Sequence, residues 1–301
     1  MSTKPILFFL ATTVAFAQLP PSADWAAHAQ NEYQVFPNVT YLTASGYESK
    51  LDVYQRRDTV THPTLIFFHG GGWVRGTKEA SAMSILPWLE MGWNVVNVEY
   101  RMARVALAPA AVEDGLCALR FAVAQAKTYG IDTSRIVVSG ESAGGHLALT
   151  TGMIPESAGF TNVCAGGGFN TSESAVPKVA AIINWYGITD VADLLGGSNA
   201  KAYAVQWLGS LANREAVARS VSPITYVRSG LPPILSIQGD ADPIVPYSQN
   251  VRLRDALTKA GATVELLTIP GGGHGNFKPD ERTKIYLKIR EFLTKNGLGG
   301  V

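Results

Sequence analysis

Gly140-Glu141-Ser142-Ala143-Gly144 lies between an apolar run ending at Ser139 and a helix-forming stretch, Ala143 to Thr150. A serine on a sharp strand-to-helix turn holds its Oγ exposed, and the first amides of the helix face the same point. Glycines at 140 and 144 remove Cβ atoms that would crowd such a turn. A serine hydroxyl becomes a useful nucleophile only when a base takes its proton, which points to covalent acyl transfer. That chemistry puts negative charge on a carbonyl oxygen. Bare backbone amides can hold it, each contributing about 3 kcal/mol. His69-Gly70-Gly71-Gly72-Trp73 follows the apolar run Leu65 to Phe68 and offers such amides. The expected donors are Gly71, Gly72 and Ala143. His69 is read as a brace for this loop rather than a base. Trp73 either floors a substrate pocket or belongs to the core.

The base must be one of five histidines. His28 precedes the sheet, and His62 sits in a loop beside Pro63. His146 falls one turn into the helix after Ser142, where a packing or hydrogen-bonding role is expected. His274 stands in Gly273-His274-Gly275 just past an apolar run, Val264 to Ile269. Loops at the C-terminal edge of a parallel sheet are where sites form, so His274 is the expected base. Its orienting carboxylate is sought in Gly239-Asp240-Ala241-Asp242-Pro243. Asp242 lies deeper in the loop and is the choice, with Asp240 bracing the turn. The order Ser142, Asp242, His274 is one of the known orders for a catalytic triad.

These positions need a frame. Short β-rich runs at 65–68, 94–98, 135–139, 179–183, 233–237 and 264–269 suit parallel strands buried on both faces. Between them, Val112, Leu116, Leu119 and Val123 share one helical face, as do Leu253, Ala256, Leu257 and Ala260. Ile285, Ile289 and Phe292 line a last helix. The alternation implies a doubly wound α/β sheet. Runs near 39–43 and 50–54 are expected as an antiparallel edge. Met153 to Pro177 reads as a long loop. The stretch 187–232, with a weakly helical piece at Lys201–Leu211, reads as a cap or lid.

Composition narrows the class. Of 301 residues, 47% are hydrophobic and 16% charged, with a formal net charge of +1 and no basic stripe. Nucleic acid is therefore not an expected partner. Lys4 precedes an apolar run, Pro5 to Phe16, and Ala15-Phe16-Ala17 has the small-x-small form of a cleavage site. Residues 1–17 read as a signal peptide, and 18–301 as one domain. The apolar run falls short of the roughly 20 residues that span a bilayer, so no stable membrane anchor is expected. A secreted or periplasmic location follows. Export permits a disulfide, but Cys117 and Cys164 alone are no framework. Cys117 defaults to a small buried apolar residue, with a bridge to Cys164 left open. No Cys/His group has zinc spacing, and no metal is expected.

Taken with Glu99-Tyr100-Arg101, Gly144-Gly145-His146 and Asp242-Pro243-Ile244-Val245-Pro246, these motifs resemble the HGG-type carboxylesterases of the α/β-hydrolase fold. They are similar to the hormone-sensitive-lipase-like esterases and to the feruloyl/acetyl-xylan esterase-like group. Glu141 and Trp73 lean toward the second, since the first usually has Asp at the position of Glu141. The resemblance covers roughly Leu51 to Leu293. It implies a mostly parallel twisted sheet with helices on both faces and a small cap insertion. It also implies hydrolysis of short-chain or aryl esters, free or polysaccharide-linked, with no cofactor. By the same resemblance Asp242 is the triad acid, and Gly71 and Gly72 donate to the oxyanion. Kynurenine formamidases share the loop pattern, so an amidase or formamidase stays open. A peptidase of the prolyl-oligopeptidase kind is a further rival, although there is no room for a propeller domain. A catalytically inactive binding protein on this fold is the non-enzyme alternative.

Overall fold

A computed structural model of the chain describes residues 19–167, 177–210 and 212–299. The segment read as a signal peptide lies outside them. Helix α1 (Pro21–Glu32) leads into a hairpin of β1 (Tyr33–Ala44) and β2 (Tyr47–Arg56), followed by β3 (His62–Phe68). Then come α2 (Ala82–Glu90), β4 (Asn94–Val98), α3 (Ala110–Ala124), α4 (Ala126–Tyr129) and β5 (Ile131–Glu141). The second half runs α5 (Ala143–Met153), β6 (Ala181–Trp185), α6 (Ala202–Leu208), α7 (Arg214–Ser220), β7 (Ile234–Gly239), α8 (Tyr247–Lys259), β8 (Val264–Ile269) and α9 (Pro279–Lys295).

The strands form one eight-stranded sheet in the order β1-β2-β4-β3-β5-β6-β7-β8. From β4 to β8 every pairing is parallel, and β2 runs against both of its neighbours. The antiparallel edge expected at 39–43 and 50–54 is thus present, with longer strands.

Successive side chains on a strand point to opposite faces, and both faces here are covered. Ile66, Phe68, Val96, Val98, Val138 and Ile182 enter one core with Leu116 of α3, Leu147 of α5 and Leu253 of α8. Leu65, Phe67, Val95, Val137, Ile183 and Leu235 enter the other with Trp88 of α2 and Ile289 of α9. That is why the strands read as unbroken apolar runs. This topology is the α/β-hydrolase fold.

Helices α1 and α2 have no counterpart among the elements the sequence predicts, while α7 falls in the weakly helical stretch 187–232. Helix α1 buries none of its residues, so it carries no apolar stripe for a periodicity to detect. Helix α2 contains Pro87, which interrupts any helical reading.

The default reading of Cys117 as an unbridged buried residue is corrected. Cys117 and Cys164 form a disulfide, their Cα atoms 5.2 Å apart, across a separation of 47 residues. It ties α3 to the turn that follows α5. In the chain-entropy view a closed loop of this size costs the unfolded chain about 4 kcal/mol of freedom. The double variant Cys117→Ser/Cys164→Ser is therefore expected to lose roughly 2–4 kcal/mol in urea unfolding. Equal stability of variant and oxidised wild type would refute this.

Candidate active site

The turn between β5 and α5 is tighter than ordinary backbone allows. Ser142 sits at φ 57° and ψ −117°, a conformation L residues rarely adopt and one that costs of order 1–3 kcal/mol. It persists because its surroundings fix it from both sides. The Ser142 amide donates to the Trp185 carbonyl at 2.9 Å, and the His146 amide to the Ser142 carbonyl at 3.0 Å. A Cβ at Gly140 would lie 2.4 Å from the Gly144 carbonyl oxygen, and one at Gly144 only 2.0 Å from that of Phe68. Only glycine lets α5 press this closely onto β3.

The loop after β3 then lies directly beside the serine. A Cβ on Gly70 would be 3.6 Å from the Ser142 Cβ. Among the described residues, none accepts a hydrogen bond from the Gly71 or Gly72 amide. The Ala143 amide opens α5, where no carbonyl within the helix can take it. These are the three donors expected from the sequence.

The Glu99-Tyr100-Arg101 motif braces this loop from below. Tyr100 donates to the His69 carbonyl at 3.0 Å, and Glu99 accepts the Lys78 amide at 2.7 Å. The Arg101 guanidinium pairs with the fully buried Asp114 at 2.7 Å. His69 donates from Nδ1 to the Gly70 carbonyl at 2.7 Å and stacks on Tyr100. Burial drives its pKa down to about 4, offset only in part by that carbonyl and by Glu79, so it is neutral near pH 7. It acts as a brace, as its place in the loop suggested.

The three groups singled out from sequence meet at hydrogen-bond distance. Ser142 Oγ lies 2.9 Å from His274 Nε2, and His274 Nδ1 lies 2.8 Å from Asp242 Oδ2. The Asp242 side chain has no exposed surface. Burial pushes its carboxyl up. The hydrogen bond and charge of His274, with the amides of Ile244 and Val245, outweigh that and hold it below the ordinary carboxylate range. Asp240 accepts the Gly271 amide at 2.6 Å and so braces the turn.

Trp73, left between floor and core, is core. Its indole has no accessible surface and stacks on Trp207 of α6 at 4.1 Å between ring centres. Its Nε1 donates to His146 Nδ1 at 3.2 Å, and His146 Nε2 donates to the Val221 carbonyl at 2.7 Å. The stretch 187–232 is thereby fastened to both the loop 69–73 and α5. One turn before Trp207, Tyr203 lies against Gly72, with its hydroxyl 3.4 Å from the Ile244 carbonyl.

Residues that motif reading missed complete the site. Tyr186, at φ 41°, sets its ring edge-to-face against His274 at 4.7 Å. Gln238 donates to Asp242 Oδ2 at 3.2 Å. The available signal was a polar side chain inside, or an aromatic just past, a strand otherwise built of buried apolar residues. The described residues contain no group of His, Cys, Asp and Glu that could hold a metal ion. The arrangement can activate a hydroxyl, collect an oxyanion and return a proton to a leaving group.

His146 is fully buried, and burial lowers its pKa to about 4, the Val221 carbonyl offsetting this in part. The unfolded chain protonates such a histidine near its ordinary value of about 6.5, while the folded chain resists until far lower pH. Stability is thus complete above that value and falls as pH drops toward about 4, by about 3 kcal/mol for each of His69 and His146. Urea midpoints should fall between about pH 7 and about pH 4.5, and more gently in His146→Gln. A flat wild-type profile would count against neutral, buried histidines.

The chain matches the BD-FAE family model over residues 51–257. It is 30% identical to esterase LipC of Mycobacterium tuberculosis over 75% of this chain and 56% of that protein. The chain thus spans about half the length of the curated relatives it matches first. Among solved structures, a truncated carbohydrate esterase from gut microbiota superposes with a TM-score of 0.70 at 28% identity. That match covers 88% of this chain and 98% of the other. A butyrate-bound thermophilic esterase, Est2 of Thermogutta terrifontis, superposes with a TM-score of 0.72 at 26% identity, covering 89% and 95%.

Proposed function

The chain belongs to the BD-FAE family, and from that premise we propose that it is an exported serine carboxylesterase acting on short-chain or aryl esters. The observation that carries the reading is the continuous line from Ser142 Oγ through His274 to the buried Asp242, beside the amides of Gly71, Gly72 and Ala143, for which no acceptor is seen among the described residues. Esterase relatives and esterase neighbours support it.

In this reading Ser142 Oγ attacks the ester carbonyl while His274 Nε2 takes its proton. The amides of Gly71, Gly72 and Ala143 receive the charge that forms on the carbonyl oxygen. His274 hands the proton to the departing alcohol, leaving an acyl group on Ser142. Water then gives its proton to His274 and attacks the acyl carbon; the bond to Ser142 Oγ breaks, His274 returns the proton to Oγ, and the product leaves as the carboxylic acid. Asp242 keeps the imidazole in its working tautomer and offsets the charge it carries between steps. Residues 187–232 serve as a cap.

The substrate class rests on the butyrate bound in Est2 and on the carbohydrate esterase neighbour. An acyl group carried on a plant polysaccharide, acetyl or feruloyl, fits both. Export is supported by the apolar run before Ala17 and by the Cys117–Cys164 disulfide, since such bonds persist in oxidising compartments.

The test is hydrolysis of p-nitrophenyl esters from acetyl to decanoyl, with methyl ferulate and acetylated xylan alongside. Wild type is expected to favour the short chains, and Ser142→Ala to lose roughly 10³-fold or more in kcat. Turnover of p-nitroanilides without ester turnover would instead make it an amidase. Failure of folded wild type to label with a fluorophosphonate would make it a binding protein.

A further inference from the structure

Asp242 is buried as a carboxylate, which is costly unless its oxygens are fully occupied by donors. Four donors reach it. Oδ1 accepts the amides of Ile244 at 2.8 Å and Val245 at 3.0 Å. Oδ2 accepts His274 Nδ1 at 2.8 Å and Gln238 Nε2 at 3.2 Å. Three of these are fixed by the loop and by the proposed mechanism. The fourth comes from a side chain whose orientation has to be set by something else.

A chain of buried amides behind Gln238 sets it. Gln238 Oε1 accepts from Asn250 Nδ2 at 2.8 Å, so its Nε2 must face Asp242, while the second Nε2 proton goes to the Val245 carbonyl at 2.8 Å. Asn250 Nδ2 spends its other proton on the Gly187 carbonyl at 3.0 Å, and Asn250 Oδ1 accepts from Asn184 Nδ2 at 2.8 Å. Asn184 donates its other proton to Ser236 Oγ at 3.0 Å, and its own oxygen is held by the Gly187 amide at 2.9 Å. All three amides are buried in the core. Each donates forward, toward the carboxylate, and flipping any one would set oxygen against oxygen or N–H against N–H. Buried, fully satisfied networks of this kind polarise along their length and allow a single arrangement.

We propose that Asn184, Asn250 and Gln238 form a one-way line of side-chain amides that positions Asp242, with Gln238 as the positioning residue at its end. This rests on the reading of Ser142, His274 and Asp242 as the catalytic triad. The line supplies a donor without a cation, so the carboxylate stays in register with His274 inside an uncharged core. It also ties the Asp242 loop to β6, β7 and α8, three elements distinct in sequence.

Gln238→Met keeps length and removes both donors. Its kcat on p-nitrophenyl acetate is expected to fall about 10-fold with KM within about twofold. If Asn250 acts on kcat through Gln238, Asn250→Leu lowers kcat in the wild-type background and adds nothing in the Gln238→Met background, whatever its loss of the Gly187 and Asn184 bonds costs in stability. Gln238→Glu is the second variant and carries the test if the Met variant does not fold. A neutral carboxylic acid can donate to Asp242 as the amide does, whereas its anion cannot and repels Asp242. Asp242 is the ionisable group in contact with position 238; His274 lies beyond it, and the charge of Asp242 also reaches the Tyr203 phenol. Relative to wild type at the same pH, kcat of Gln238→Glu should rise as pH falls from about 8.5 to about 6. Wild-type kcat in Gln238→Met, additive losses in the double variant, or a pH-independent Glu ratio would each overturn the positioning role. Full activity of Ser142→Ala is the separate result that would overturn the triad reading itself.

Discussion

The close approach of α5 to β3 is the contact on which the site depends. At Gly144 no atom beyond hydrogen can stand between the helix and the Phe68 carbonyl, and at Gly140 none can stand between the strand and Gly144. That approach forces Ser142 into its strained conformation and turns its Oγ outward. It also brings the loop 69–73 alongside, because the same β3 that α5 presses upon leads into it. The Ser142 hydroxyl, the backbone of the loop 69–73 and the N-terminus of α5 converge from one packing decision. The strain is stored where chemistry is proposed and is met by two long parallel-sheet cores on either side.

Around that point, charge and polarity are handled by burial rather than by exposure. His69 and His146 are kept neutral by desolvation and serve as struts, one under the oxyanion loop and one between Trp73 and the Val221 carbonyl. Asp242 is kept charged by His274 and by the amides of Ile244 and Val245, with Gln238 as a further donor. A buried ion pair, Arg101 with Asp114, lies beneath the loop and anchors the segment after β4 that carries Tyr100. What surrounds each ring thus makes both of these histidines struts.

The stretch 187–232 is docked rather than loose in this structure. Trp207 stacks on Trp73, Lys201 reaches the Pro243 carbonyl, and Val221 is held by His146. It therefore touches the loop 69–73, the Asp242 loop and α5 at once. Tyr203 lies between Gly72 and Ile244, against both loops.

Much of this was legible in the chain itself. Strand-to-helix turns with glycines at fixed offsets are local features, so the Ser142 turn, the loop at 69–73 and the order of Asp242 and His274 could be read from spacing and from neighbouring apolar runs. Strands buried on both faces announce themselves as continuous apolar stretches, which is why the sheet was expected nearly as it stands. What the sequence left open depended on contacts between distant segments. Whether Cys117 meets Cys164 turns on how α3 packs against the turn after α5. Whether Trp73 faces substrate or core turns on where α6 lays Trp207. Asn184, Gln238 and Asn250 are, one by one, unremarked polar residues in apolar surroundings. Only folding, which puts their amides within 3 Å of one another, gives them a common direction.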